Sequence, residues 1–220
     1  METLKKNDFI EIIFSGYANG TLFDSNIAED LKKLHPEAKA EPLTIIIGRG
    51  MVVPGLDKAL EGKEVGKNYE ILISIKEGFG ERRKELLKTL PIKVFQAQKI
   101  QPFPGQTLYM DGMIAKVIVV SGARVITDFN NPLAGKELIY KITITKKIEQ
   151  EKEKCEQLFK LLLKDIPEFE IDDKVTIKGA KNMEIVVKAF ANKFKEIIGK
   201  DLAFELKEEN SQKPVDAVSA

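Results

Sequence analysis

Apolar and polar residues alternate in two stretches of the chain, and two others are mostly apolar. Tyr69–Ile75 and Glu137–Thr145 alternate, which predicts strands with one face in a core. Phe9–Phe14 and Thr44–Ile47 are rich in apolar and β-branched residues, which predicts buried strands. The polar segment Asn26–Pro36 is consistent with either a loop or a short helix.

The first half of the chain is organised around the stretch Leu43–Glu61. A β-branched run ends there in a glycine turn, Val52 and Val53 follow, and a short helix is predicted from Pro54. So few residues cannot bury all of this apolar surface, so a flexible segment or a bound partner must cover part of it. The local pattern alone also fits an ordinary strand-to-helix connection.

The segment 86–129 predicts a small β-rich unit. Thr107–Met110, Met113–Val120 and Ala123–Phe129 have strand composition, and Asp111-Gly112 and Ser121-Gly122 are turn sequences. A unit of about 45 residues can barely bury its own apolar surface. About half of the following residues should therefore be core and the rest an exposed patch: Leu108, Tyr109, Met110, Met113, Ile114, Val117 and Val119.

The last third of the chain has a different pattern. Glu149–Lys164 predicts a charged helix with Leu158, Phe159, Leu161 and Leu162 inside, and Phe169–Lys178 predicts extended chain. An amphipathic helix over 181–198 and a strand over Leu202–Leu206 complete an α-β-α-β domain, 149–207. Its apolar surface predicts a homodimer held through residues 150–207. The polar residues 208–220 predict a flexible tail.

Composition narrows the function. The chain has 35 basic and 34 acidic residues and a net charge of +1, which argues against nucleic-acid or anionic-membrane binding. The basic run Arg82-Arg83-Lys84 is too short to change this. A single cysteine, Cys155, excludes an internal disulfide, and no metal or cofactor motif is evident. The amino terminus lacks an apolar segment of signal length, so a cytoplasmic location is expected.

Five short motifs together resemble the FKBP-type peptidyl-prolyl cis-trans isomerases in order and spacing. They are Phe23-Asp24-Ser25, Ile47-Gly48, Val52-Val53-Pro54-Gly55-Leu56, Gly62-Lys63-Glu64-Val65-Gly66 and Gly78-Phe79-Gly80. The segment 128–136, Asp-Phe-Asn-Asn-Pro-Leu-Ala-Gly-Lys, is similar to the motif at which the insert of SlyD-like members rejoins its host. The chain is similar to long archaeal members in having a further carboxy-terminal domain.

This resemblance implies an α+β fold in three parts. An antiparallel half-barrel sheet with one short helix would comprise residues 1–85 and 130–148, interrupted by a small β-rich flap domain, 86–129. The α/β domain, 149–207, would follow. The implied apolar isomerase pocket, with the Val53 backbone amide facing the peptide carbonyl, consists of Phe14, Phe23, Asp24, Leu43, Val52, Val53, Leu56, Phe79 and Tyr140. Many members have tryptophan at the floor and tyrosine at positions 14 and 79, and this chain has none of these.

The implied function is a folding enzyme. The pocket would isomerise X-Pro bonds with no metal or cofactor, while the flap domain would bind unfolded or proline-containing polypeptides. The implied client-binding residues are Leu108, Tyr109, Met110, Met113, Ile114 and Val117. The alternative is a non-enzymatic holdase or adaptor with a vestigial pocket.

Overall fold

The computed structural model describes residues 3–110 and 112–207, and its contacts divide the chain after Lys147. Asp111 of the predicted Asp111-Gly112 turn and the predicted tail, 208–220, lie outside the described residues. Residues 86–129 are called the inserted segment, or insert. The other strands and helices of the first unit are β1 Phe9–Ala18, β2 Thr21–Ser25, α1 Ala28–Leu34, β3 Leu43–Ile46, α2 Pro54–Leu60, β4 Asn68–Ile73 and β9 Leu138–Ile148. The insert lies between β4 and β9 in the sequence.

The five strands form one sheet in the order β2-β1-β9-β4, and β3 pairs with β1. The two halves of β1 have different partners on one edge, because Phe9–Ile12 pair with β3 and Ser15–Ala18 pair with β2. Both pairings are antiparallel. The sheet therefore brings β2 and β3 to the same edge of β1, beside Phe14.

The core of the first unit follows the predicted alternation. Four residues of β9, Leu138, Tyr140, Ile142 and Ile144, are buried, as are Ile71 and Ile73 of β4. Helix α2 packs onto this layer through Leu56 and Leu60. The helix α1 lies in the polar segment for which the sequence allowed a loop or a short helix, and it buries Leu31.

The inserted segment folds as a second sheet with its own core. Its elements are β5 Leu87–Pro91, α3 Ile92–Ala97, β6 Thr107–Met110, β7 Met113–Ser121 and β8 Arg124–Asp128. The strand order is β5-β8-β7-β6. Strand β5 and helix α3 were not predicted, because each has only five or six residues and short elements give little periodicity. Phe95 of α3 is fully buried under the sheet core.

The second unit consists of α4 Glu151–Leu163, β10 Glu168–Ile171, β11 Val175–Gly179, α5 Met183–Ile198 and β12 Leu202–Leu206. Strands β10 and β11 pair antiparallel, whereas β11 and β12 pair parallel. The predicted single extended stretch is therefore two strands, since the chain turns back where the Asp172 N–H donates to the Lys174 carbonyl. The order is α-β-β-α-β rather than the predicted α-β-α-β.

One predicted core residue of α4 is exposed. Cys155, Leu158 and Phe159 form the buried stripe of the helix, and the Phe159 ring stacks on Phe194 of α5 at 4.9 Å between centroids. Leu161 is 44% exposed, because it lies at the edge of this stripe, on the side of Leu158, rather than at its centre. None of the helices in the described part of the chain is both long and apolar enough to span a membrane.

Candidate functional site

The first unit contains an apolar pocket of about 250 Å³. Strands β1, β2, β3 and β9, the segment before α2 and the helix itself each contribute to it. Its lining residues are Ile12, Phe14, Asp24, Leu43, Met51, Val52, Val53, Leu56 and Tyr140. Asp24 is the one charged side chain among them, so the pocket is an apolar cleft with a carboxylate at its exposed rim.

Two aromatic rings, Phe14 and Tyr140, line one wall of the pocket, and the Phe23 ring packs against Tyr140. The Tyr140 ring lies 6.0 Å from the Phe14 ring and meets the Phe23 ring edge-on at 5.8 Å, both between centroids. Gly16 makes room for this cluster, since a Cβ atom there would stand 2.8 Å from Phe23 Cζ. Glycine at this position of β1 therefore lets the Phe23 ring approach the strand closely.

Phe14 is held in place by side chains from the next segment. The Phe14 N–H donates to Asn26 Oδ1 at 2.7 Å, and Asn26 Nδ2 donates to the Ile12 carbonyl at 2.9 Å. The Ser25 hydroxyl donates to the Phe14 carbonyl at 2.8 Å. These bonds satisfy the backbone of β1 between its two partner strands, so the aromatic wall is fixed by hydrogen bonds as well as by packing.

The opposite wall is held by Asp57, a residue that the sequence reasoning missed. Its buried carboxylate accepts the N–H groups of Gly48 and Gly50, each at 2.8 Å. Both glycines have positive φ, +75° and +66°, a conformation that glycine adopts without strain. This turn leads directly into Met51, and an aspartate shortly after a Gly-x-Gly turn could have indicated it.

Burial and charge both act on the Tyr140 hydroxyl. Burial is the larger cause and the negative charge of Asp24 the second, and together they raise the pKa of Tyr140 to about 12. At neutral pH the phenol is therefore protonated and can donate a hydrogen bond into the pocket.

The helix α2 starts at the pocket. The Val53 carbonyl accepts the N–H groups of Leu56 at 2.9 Å and Asp57 at 3.0 Å, which fixes Val53 as the residue before the helix. Gly55 packs so tightly that an added Cβ would stand 2.8 Å from Ile73 Cγ2. Its N–H donates to the Glu77 carbonyl at 2.9 Å, which ties the helix to the Gly78-Phe79-Gly80 turn region.

Seven of the nine residues implied by the resemblance line this pocket, and two do not. Phe23 and Phe79 are half-buried and pack against the core of the first unit. Ile12 and Met51 line the pocket without having been predicted. The Ile12 position follows from alternation, because it shares a strand face with Phe14.

The predicted client-binding residues divide between the core and the surface of the inserted sheet. Met110 and Val117 are buried, which corrects their assignment to an exposed surface, because they share the inward face with Ala115. Tyr109 and Ile114 pair across β6 and β7 and are 74% and 54% exposed. Met113 is also exposed, whereas Leu108 is half-buried.

The exposed apolar surface extends beyond the predicted residues. Ile118, Val119 and Ile126 each leave about two fifths of their surface exposed, at 39%, 42% and 39%. The register of β7 shifts between Val117 and Val119. This bulge breaks the alternation, so the exposure of two successive apolar residues could not be read from the pattern.

Comparison with known proteins identifies the family. Residues 1–145 match the profile of the FKBP-type peptidyl-prolyl cis-trans isomerases. A short-type peptidyl-prolyl cis-trans isomerase of Methanocaldococcus jannaschii is 32% identical over 144 residues, which are 64% of this chain and 92% of that relative. The FKBP-type isomerase SlyD of Helicobacter pylori is 29% identical over 147 residues, 66% of this chain and 74% of that relative.

Because the family match covers more than half of the sequence, the chain belongs to the FKBP-type peptidyl-prolyl cis-trans isomerases. The predicted family, α+β fold class and isomerase class are thereby confirmed. The match ends at residue 145, so the unit that follows Lys147 lies outside it.

Proposed function

We propose that this isomerase is also a folding chaperone, whose inserted sheet binds unfolded polypeptide and supplies its prolyl bonds to the pocket of the first unit. The observation that carries this proposal is the pairing of an apolar cleft with an exposed apolar sheet face in the same unit. The pocket is suited to a single prolyl residue, and the open face is suited to chains of varied sequence.

The chemistry proposed for the pocket needs no nucleophile. Rotation about an X-Pro bond meets a barrier of about 20 kcal/mol, which arises from lost amide resonance. The planar amide is more polar than the twisted one, so an apolar site favours the twisted form relative to water. Lowering the barrier by about 4–6 kcal/mol would accelerate the reaction roughly a thousand- to ten-thousand-fold or more.

The polar groups of the pocket would orient the substrate. The Val53 N–H, fixed at the start of α2, would donate to the peptide carbonyl. The protonated Tyr140 hydroxyl is a second donor within the lining. Asp24 would act at the rim, where its charge is solvated, as an acceptor for the substrate backbone.

The client-binding surface would consist of the exposed face of the inserted sheet. Tyr109 and Ile114 belong to it, together with Ile118 and Val119. Large apolar side chains that are exposed on one face of a sheet form a patch that can pack against unfolded chains. Tethering the client beside the pocket would raise its effective concentration there to about the millimolar range.

The test compares the intact chain with a chain in which residues 86–129 are replaced by a short glycine-serine linker. Turnover of a short proline peptide should stay the same, because the pocket lies outside the insert. Catalysis of the slow, proline-limited refolding of a protein should fall about a hundredfold. Equal loss on both substrates would contradict the division of labour.

The same refolding assay separates the alternative, a holdase with a vestigial pocket. A holdase would suppress aggregation of the client and leave the slow phase of its refolding unchanged. An apolar pocket whose walls are fixed by Asn26 and Asp57 favours the enzyme, because a vestigial site has no need of such support.

We further propose that the chain forms a homodimer through residues 150–207. The second unit leaves Leu161, Ile185 and Leu206 exposed, at 44%, 75% and 57%. A symmetric partner would bury such residues on both copies. Sedimentation of the full chain should show a dimer at micromolar concentration, and Ile185→Glu should shift it to the monomer. A wild-type monomer would contradict the proposal.

A further inference from the structure

Two chain segments connect the inserted sheet to the rest of the first unit, and side chains bind them together. The outgoing segment runs from Arg82 to Leu86, and the returning segment runs from Phe129 to Lys136. The β5–β8 ladder ends with the pair Leu87 and Asp128. One further backbone bond, from the Phe129 N–H to the Leu86 carbonyl at 2.9 Å, extends it toward the junction.

Beyond that bond, the side chain of Asn130 takes the place of a backbone partner. Its Oδ1 accepts the Arg83 N–H at 2.9 Å, and its Nδ2 donates to the Arg83 carbonyl at 3.0 Å. A side-chain amide has the same donor and acceptor as a peptide group. The Asn130 side chain therefore continues the hydrogen-bond pattern of the β5–β8 ladder by one step, at a point where the two backbones no longer bond to each other directly.

Asp128 completes the arrangement. Its Oδ1 accepts the Asn130 N–H at 2.9 Å and Asn130 Nδ2 at 2.7 Å, while its Oδ2 forms an ion pair with the Arg82 guanidinium. Asp128 and Asn130 are only 5% and 8% exposed. A charge-assisted network of this kind is geometrically specific, because its buried members, Asp128 and Asn130, would be costly to leave unpaired.

The network continues to the turn that carries Phe79. The Gly135 N–H donates to the Gly80 carbonyl at 2.7 Å. Arg82 lies against Gly135, where an added Cβ would stand 3.0 Å from its Cγ atom. One connected set of contacts therefore runs from β8 of the inserted sheet to the Gly78-Phe79-Gly80 turn.

The same residues form a wall of a groove of about 280 Å³. Arg82, Asp128 and Asn130 line the groove together with Pro132 and Lys136, and β6 and β7 contribute Thr107, Ile114, Lys116 and Ile118. Ile114 and Ile118 belong to the exposed apolar face of the insert. The groove therefore joins the proposed client-binding face to the junction.

We infer that Arg82, Asp128 and Asn130 are positioning residues, which hold the inserted sheet in one orientation relative to the five-stranded sheet. They also shape the groove by which a bound client reaches the rest of the first unit. This inference rests on the proposed client-binding function of the insert. It assigns the three residues no contact with the prolyl bond. Their loss should uncouple binding from isomerisation while each continues separately.

The test substitution is Asn130→Asp, which keeps the shape, removes both Nδ2 bonds and sets a second carboxylate beside Asp128. The matched control is Asn131→Asp, because Asn131 is exposed and its Oδ1 only accepts the Leu133 N–H, which aspartate can also accept. Arg82→Met is the second variant. It keeps the stem against Gly135, removes the ion pair, and tests the same inference if Asn130→Asp does not fold.

Four quantities are measured on the full-length chain: turnover of a proline tetrapeptide, affinity for a reduced and carboxymethylated protein, catalysis of that protein's refolding, and a spin-label distance. The labels are placed at the exposed residues Glu70 and Ser121. Cys155 should stay unlabelled, since burial raises the pKa of its thiol to about 12 and the thiolate is the reactive form.

For Asn130→Asp we expect unchanged tetrapeptide turnover and client affinity, refolding catalysis lowered on the order of tenfold, and a broadened distance distribution. Asn131→Asp should match the wild type in all four. Wild-type refolding catalysis and a narrow distribution in both Asn130→Asp and Arg82→Met would overturn the inference, while the proposed function would stand. If the wild type catalyses refolding of the client no better than the chain lacking residues 86–129, the proposed function fails and the inference fails with it.

Discussion

The pocket and the inserted sheet are two apolar surfaces of one unit, and they differ in how firmly they are held. Leu56, Phe14 and Tyr140 of the pocket are 2%, 8% and 6% exposed, and side-chain hydrogen bonds fix the backbone on both sides. The insert has a smaller core under a single sheet and leaves Tyr109 74% exposed. Isomerisation needs fixed geometry, whereas binding of varied chains needs accessible area.

The largest effect that would sharpen this contrast is expected from Phe95→Ala. Phe95 is fully buried in the core of the insert, and loss of such a ring costs about 3–5 kcal/mol. A sheet this small has little stability in reserve, so the insert should unfold while the five-stranded sheet of the same unit persists. Hydrogen exchange should show lost protection in β6, β7 and β8 alone, and client refolding should be lost. Protection that is lost across β1 and β9 as well would show that the two sheets fold as one.

A second test breaks the support of the pocket wall. In Asp57→Asn the amide can accept fewer hydrogen bonds than the carboxylate, so the N–H groups of Gly48 and Gly50 lose part of their pairing. The free energy of unfolding should fall by about 1–3 kcal/mol, and peptide turnover by on the order of tenfold, because Met51 and Val52 shift. Urea unfolding and tetrapeptide assays measure both. Glu61→Gln, at an exposed position just after the same helix, is the control and should change neither.

The sequence predicted most of what these tests address, for reasons that differ between residues. The alternation of β9 identified its four buried residues, and seven of the nine residues that the family resemblance implied lie together in the lining of one cleft. Val117 was misassigned because β7 is apolar on both faces, and Met110 because it ends three successive apolar residues of β6, so alternation did not show which face was inward. The roles of Asp57 and Asn130 depend on bonds to turns and backbones brought close by the fold. For Asp57 the preceding Gly-x-Gly turn is the one local signal, and for Asn130 nothing in local composition predicts such contacts.

A third, smaller effect is expected from the surface of the insert. Tyr109→Ser with Ile114→Ser removes two opposed, exposed side chains. Stability should change by about 0.5 kcal/mol or less per site, while affinity for an unfolded client should fall several-fold. Leu72→Ser is the matched control, since Leu72 is 64% exposed on β4 of the same unit but outside the insert. Equal loss of client affinity in the control would mean that any exposed apolar residue suffices.

The smallest effect concerns the electrostatics of the pocket. Because the pKa of Tyr140 is raised from 10.0 to about 12, the folded protein retains a proton that the unfolded chain loses in this interval. The contribution of Tyr140 to the free energy of unfolding is constant below pH 10. It falls as the pH rises from the unfolded pKa, 10.0, to the folded pKa, about 12. Tyr140→Phe should abolish this part of the alkaline loss.

Asp24→Asn separates the two causes of that shift. Burial is the larger cause and the Asp24 charge the smaller one, so the substitution should lower the pKa of Tyr140 and leave it above its ordinary value. Ultraviolet titration of the phenol, with Tyr140→Phe subtracted, measures the change. Because Asp24 lies at the exposed rim, peptide turnover should change by no more than about threefold, which corresponds to less than 1 kcal/mol. A much larger loss of turnover would show that the carboxylate acts on the prolyl bond itself, and the pocket would then be more than an apolar cleft.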